Sequence, residues 1–205
     1  DVCSSDLEYI MDVSNIDETR LPFEAPDAYV LRLARQKAEA VLPRYHDHQV
    51  IIGSDTTVAI QNDILGKPVD ASDARQMLLR LRGVTHQVFT GIAVLRVADK
   101  KIWTDVIKTE VPMRAYSLEE VESYIQTGDP MDKAGAYGIQ NPYFQPVASM
   151  SGCYASVMGL PLCSLSRLLG QAGIQPLADV AQGCQSLIQY KCPVYKSFLG
   201  DHSQE

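Results

Sequence analysis

The 205-residue sequence predicts a mixed α and β fold whose strands meet as hairpins, not a regular alternation of strand and helix. Three observations carry this expectation. Apolar residues recur at helical spacing in some stretches and crowd into β-rich runs in others. Two pairs of runs are separated only by short polar turns. Hydrophobic residues make up 46% and charged residues 21% of the chain, ordinary usage for a soluble chain of one domain, or one domain with two lobes.

Each element has its own local reason. In "AYVLRLARQKAEAV", residues 28–41, Val30, Leu33, Ala34 and Ala38 share one helical face, and Asp27 is the expected cap after Pro26. "VIIGSDTTVAI" is a β-rich run interrupted in its middle by Gly53-Ser54-Asp55, and "QND" turns it back into "ILGKP" as a hairpin. "DASDARQMLLRLRG" is a helix with Ala74, Met77, Leu78 and Leu81 on one face and Gly83 as its stop. "HQVFTGIAVLRV" and "KIWTDVIKTEVPM" are two strands around the turn Ala98-Asp99-Lys100. Ser117 and Glu120 form a capping box for a helix through Leu118, Val121, Tyr124 and Ile125 that ends at Gly128. "MDKAGAYGIQNPYFQPV" is a Gly-rich loop, and Pro161 suits the first turn of a helix running to Leu169. After Gly173 the pattern weakens, so residues 175–205 are expected to form a peripheral tail.

A net charge of -7 argues against general nucleic-acid binding, yet leaves room for one phosphorylated small ligand held by a few local cations. No apolar run approaches the length of a membrane span, and the expected location is the cytoplasm. The five cysteines, Cys3, Cys153, Cys163, Cys184 and Cys192, argue by their odd number against a disulfide framework. Cys184 and Cys192 flank one short segment, where they can pair, share a metal or stay reduced and partly buried; Cys153 and Cys163 sit in apolar surroundings and read as core.

Chemistry is expected at three places. Asp55 is a carboxylate planted in an apolar strand, which is costly unless a cation, a metal or several donors meet it; Gly53 leaves room for a ligand beside the backbone. Lys67 precedes Pro68 and is held extended, and the hairpin returns it towards Asp55, a pairing that suits a metal and phosphate site. In Asp132-Lys133-Ala134-Gly135-Ala136-Tyr137-Gly138-Ile139-Gln140, successive N–H groups can cradle an anion, and the Gln140 amide can read a base edge or position water. Against each stands a plain alternative: a turn-capping Asp, a solvated Lys and an ordinary tight loop. Arg35, Lys37 and Glu18 taken singly read as solvated charges, and His86 reads as structural. No HExxH, GxSxG or Cys-His pattern offers a covalent nucleophile.

Taken together, "IIGSDTTV", "LGKPVDASDARQMLLRLRGVTHQVFTG", "DKAGAYGIQ" and "GCYASVMGLPL" resemble, in order and spacing, the Maf family of nucleoside triphosphate pyrophosphatases, over about Ile16 to Leu169. The resemblance implies an elongated α/β fold like that of the inosine-triphosphate pyrophosphatases, a mixed β-sheet flanked by helices with a cleft between two lobes. It implies hydrolysis of a nucleoside triphosphate to the monophosphate and pyrophosphate with Mg²⁺ or Mn²⁺, and it suggests a homodimer. By matching position, Asp55 is the residue that activates water or holds the metal, and Glu18, Lys37, Lys67 and Gln140 match the other active-site positions. Asp55 and Glu18 are then the metal ligands, and Thr56, Lys133, Tyr137 and Gly138 contact substrate. Asp55-Thr56 with "KAGAYGIQ" is similar to the branch acting on dTTP, UTP and sometimes CTP, and the branch acting on 7-methyl-GTP departs from these patterns. Asn141 stands where many members carry glycine.

Members of the family begin with a short strand and a Ser-x-Ser-Pro-Arg-Arg-like stretch that binds phosphate, in place of which this chain has "DVCSSDL". That heptapeptide is also one reading frame of a common sequencing adapter. Residues 1–7 are therefore expected to be non-native, 8–174 to form a pyrophosphatase domain lacking its first strand and phosphate-binding arm, and 175–205 to be the tail. Two other readings stay open: a nucleotide-binding regulator of cell division without turnover, and a pyrophosphatase for modified purines such as ITP.

Overall fold

The structure, a computed structural model, describes residues 9–46, 50–61 and 63–199. The expected non-native segment, residues 1–7, lies outside the described residues, as does Asn62 of the first hairpin turn. Among the described residues four strands form one sheet: β1 (Val50–Ile60), β2 (Asp63–Leu65), β3 (Thr85–Arg96) and β4 (Lys101–Pro112), in the order β2-β1-β3-β4. Every neighbouring pair is antiparallel. Gly53-Ser54-Asp55 does not interrupt β1, because the three residues pair in register with Ala93, Ile92 and Gly91 of β3. β2 reaches only Val58–Ile60, so among the described residues the stretch 50–57 pairs with β3 alone.

One face of the sheet is covered by α1 (Pro26–Val41). Asp27 is not its cap: Ala25 holds that position without a side-chain bond, and Pro26 occupies the first turn. Proline suits that place because its missing N–H would have no partner there anyway, and the Asp27 charge complements the helix dipole. Val30, Leu33, Ala34, Ala38 and Val41 are buried. The helix lies almost on the backbone of the strands. A Cβ at Gly91 would stand 2.5 Å from the Val30 carbonyl oxygen, and one at Gly53 would overlap the Ala34 carbonyl oxygen. Gly53 makes room for a helix, not for a ligand.

The opposite face carries two apolar clusters. In the first, α2 (Ala71–Leu81) and α3 (Leu118–Gln126) pack Leu78, Leu81, Val121 and Tyr124 against Val58 and Val88, and Tyr124 stacks on Phe144 with centroids 4.2 Å apart. Both helices begin as their sequences require: Asp70 accepts from the Asp73 N–H at 2.8 Å, and the Ser117–Glu120 capping box is complete. Gly83 and Gly128 follow the two helices with φ of +68° and +75°, the left-handed conformation that costs glycine nothing.

The second cluster sets Ile92, Val94 and Ile107 against α5 (Leu162–Gln171). Between the clusters, α4 (Tyr154–Val157) sends Tyr154 and Val157 to the first and Ala155 to the second. The stretch after Gln175 folds into α6 (Val180–Ile188) and α7 (Tyr195–Leu199), which add Cys184, Ile188, Val194 and Phe198 to the second cluster. None of Cys153, Cys163, Cys184 and Cys192 is in a disulfide. Among the described residues no set of three or more His, Cys, Asp or Glu side chains is placed to hold a metal.

Candidate active site

Strand periodicity decides which face each β1 side chain meets. Asp55 shares the α1 face with Gly53, and Thr56 takes the opposite one. Two turns of α1 separate Tyr29 from Lys37, so both lie on the flank of the helix beside Asp55. Lys37 Nζ donates to Asp55 Oδ1 at 2.6 Å and pairs with Glu18 Oε1 at 2.9 Å. The Asp55 side chain is only 10% exposed. Burial therefore raises its proton affinity above the ordinary carboxylate value, although Lys37 and the more distant Lys67 pull the other way. Burial works to lower the pKa of Lys37, but its bonds to Asp55 and Glu18 prevail and hold it above the ordinary lysine value. An ammonium shared by two carboxylates stays charged, and removing Lys37 would leave the largely buried Asp55 carboxylate without its cation.

Glu18 is held there by its own loop. Tyr29 donates its hydroxyl to the Glu18 carbonyl at 2.9 Å, and Arg32 Nη2 donates to the Thr19 carbonyl at 3.1 Å. Arg32 also grips both oxygens of Glu24, at 2.6 and 2.8 Å, and Leu21 N–H donates to the same carboxylate. This bidentate clamp positions the loop without reaching the cleft. By contrast, Arg35 pairs with Glu39 on the exposed side of α1, as a solvated charge should.

The cluster lines a cleft of about 510 Å³ with Tyr29, Ser54, Thr56, Thr57, Lys67 and Gly159. Thr56, Lys67 and Ala134 also line an adjoining cleft of about 260 Å³, walled by Val88, Lys133, Tyr137, Gly138, Ile139, Gln140, Val157 and Met158. All the expected site residues thus lie along these two joined clefts. The expected amide cradle is different. The N–H of Gly135 donates to Gly66 O, that of Ala136 to Lys133 O and that of Gly138 to the Tyr124 hydroxyl. Those three amides are committed to holding the loop, which presents side chains to the cleft instead. Lys133 is tied to Asp129 and Asp132 at 3.0 and 2.7 Å, so its charge is largely met before any ligand arrives. Asn141 anchors the same loop: its amide donates to Asp129 and its carbonyl accepts from the Tyr143 and Phe144 N–H groups.

Tyr137 is buried, and its hydroxyl meets His86 Nε2 at 2.8 Å. His86 is buried as well, and burial lowers its pKa from 6.5 to about 4, so it is neutral and structural. Sequence reasoning passed over Tyr29, Gly159, Val157 and Met158. Val157, Met158 and Gly159 lie inside the quoted stretch "GCYASVMGLPL", and Tyr29 sits eight residues before Lys37 on a helix whose apolar face lies elsewhere.

The family model described as "Maf-like protein" matches residues 4–172 of this chain. A dTTP/UTP pyrophosphatase of Clostridium botulinum (strain Kyoto / Type A2) is 44% identical over 165 residues, covering 79% of this chain and 85% of the relative. Proteins named dTTP/UTP pyrophosphatase from Hahella chejuensis and Shewanella denitrificans are 43% and 42% identical, covering 84% and 80% of this chain and 86% and 82% of their own lengths. With an α/β fold, an Asp–Lys–Glu cluster in a cleft and a match of this extent, the chain belongs to the Maf family.

Proposed function

We propose that this chain hydrolyses nucleoside triphosphates, dTTP and UTP first and CTP among the candidates, to the monophosphate and pyrophosphate. The observation that carries the reading is the joined pair of clefts: one holds Asp55, Lys37, Glu18 and Lys67, and the other sets apolar side chains beside the Gln140 amide. A triphosphate tail suits the first and a base the second. The first cleft offers two carboxylates against two lysines, too little positive charge for a triphosphate, and this balance favours a divalent cation. The carboxylates of Glu18 and Asp55 are the residues that would hold Mg²⁺ or Mn²⁺; two carboxylates with water and phosphate oxygens is a donor set that suits Mg²⁺. When bound, the ion neutralises phosphate oxygens and favours ionisation of water.

The chain's own groups do the rest. Asp55, with its raised proton affinity, takes the proton of the attacking water. Lys37 keeps Asp55 oriented, and Lys67 faces the charge that builds on the leaving pyrophosphate. The wall of Val157 and Met158 seats the base face, and positioning supplies much of the remaining rate.

Pyrophosphate release from dTTP, UTP, CTP, ITP and 7-methyl-GTP in the presence of Mg²⁺ tests the reading. Turnover of dTTP and UTP is expected. Asp55→Asn should lower kcat by roughly 10²–10⁴-fold, the usual worth of a general base. Undiminished turnover in that variant would remove Asp55 from the mechanism.

A further inference from the structure

Thr90 is a fully buried hydroxyl on β3, directly opposite Thr56 of β1. Its Oγ1 donates to the Ser156 carbonyl at 2.7 Å. That carbonyl does not move freely. It lies within α4 and also accepts from the Gly159 N–H, while the Ser156 hydroxyl is fixed by the Cys153 carbonyl and by Thr109. A threonine hydroxyl has one hydrogen and two lone pairs. With the Thr90 hydrogen spent on Ser156, the 2.9 Å contact between Thr56 Oγ1 and Thr90 Oγ1 has one direction: Thr56 donates and Thr90 accepts. Thr56 stands where the two clefts join. Its hydrogen points into the protein, and only its lone pairs remain for a ligand.

We infer that Thr90 is a positioning residue that makes Thr56 an acceptor-only contact, so that the ligand must bring a hydrogen-bond donor to the junction of the clefts. This rests on the nucleotide reading above and deepens it. A pyrimidine nucleotide has two donors that suit the place, the 3′-hydroxyl of the sugar and the N3–H of a keto-pyrimidine. A ligand with an acceptor at that point sets lone pair against lone pair in a partly buried site, and no rotation of Thr56 relieves this without breaking the bond to Thr90.

The test replaces each donor with an acceptor of similar size. Turnover of dTTP is compared with that of dCTP, whose N3 accepts, and of 3′-fluoro-3′-deoxythymidine triphosphate, whose 3′ substituent cannot donate. The wild-type chain, Thr90→Val and Thr90→Ser are each measured. Wild type should disfavour one of the two analogues by at least roughly tenfold in kcat/KM, mainly through KM, and that analogue identifies the donor. Thr90→Val frees the Thr56 hydroxyl to rotate and should reduce the discrimination to about twofold; Thr90→Ser restores the fixed direction and should keep it near wild type. A folded Thr90→Val variant with unchanged discrimination overturns the inference, as does a wild type indifferent to both analogues. If wild type turns over none of the three, the pyrophosphatase reading fails by itself. The same order and the same collapse must then appear in calorimetric binding of dTMP, dCMP and 3′-fluoro-3′-deoxythymidine monophosphate, and their absence there also overturns it.

Discussion

At the scale of single residues, two buried titratable groups are treated oppositely. Asp55 keeps an ammonium 2.6 Å away, and its burial raises its proton affinity against the pull of Lys37. Among the described residues no acidic side chain bonds to His86. Its Nδ1 has no partner among the described residues, Tyr137 holds the other nitrogen, and Glu110 only weakly favours the charged form. Protonated histidine is therefore admitted by the unfolded chain and refused by the folded one. Between about 6.5 and about 4 the unfolded state binds more protons, so the contribution of His86 to stability is complete above pH 6.5 and is lost as pH falls towards 4. The ceiling on that loss is about 3 kcal/mol. Urea unfolding at pH 7, 5.5 and 4.5 should show it, and His86→Gln should flatten the slope. An equal slope in the variant would place the effect elsewhere.

At the scale of elements, the seat of α1 on the sheet sets the Lys37–Asp55 bond. Gly53→Ala would push a methyl group into the Ala34 carbonyl, which the helix backbone can escape only by lifting. A cost of roughly 1–3 kcal/mol is expected, with a fall in turnover exceeding any fall in nucleotide binding, measured by thermal melting and steady-state kinetics. The loop that carries Glu18 has the opposite kind of defect. The Glu24 N–H donates to the Leu21 carbonyl at 3.1 Å, which closes a turn with Pro22 second and Phe23 third. Phe23 has φ of +59°, and its side chain is fully exposed. That third position favours glycine. Phe23→Gly should stabilise the chain by about 0.5–1 kcal/mol, because relief of the left-handed strain exceeds the added entropy of the unfolded chain. A loss of stability would show that the phenyl ring makes contacts this turn does not display.

At the scale of the whole molecule, the second apolar cluster depends on chain ends far apart in sequence. Ile92, Val94 and Ile107 of the sheet meet Ile188, Val194 and Phe198 of the last two helices. Cutting after Gly173 would bare that surface, and the melting temperature should fall by about 5 °C or more, with the shortened chain prone to associate. Unchanged melting would make α6 and α7 dispensable. Among the described residues no helix is long and apolar enough to cross a membrane.

How much of this was legible follows from distance along the chain. Helices, hairpins, caps and the glycine stops are local, written in periods of 3.6 and 2 and in side chains that reach three residues; α2, α3, β3 and β4 follow directly from them. The cap of α1 was misread because Asp27 and Ala25 differ by two places, and only backbone geometry tells the cap from the first turn. Asp55 stood out by itself, as a charge amid apolar neighbours. Its partner Lys37 lies 18 residues away, and Thr90 and Ser156 lie 34 and 100 residues beyond Thr56. By itself the sequence determined most of the elements before Gly173, the family likeness and the residue types of the site. The tertiary structure alone decided that Gly53 serves a helix, that three of the loop amides are already spent and that the Thr56 hydroxyl points inward. Close approach and hydrogen-bond direction belong to pairs of groups brought together by packing, and a one-dimensional pattern does not encode which pairs those are.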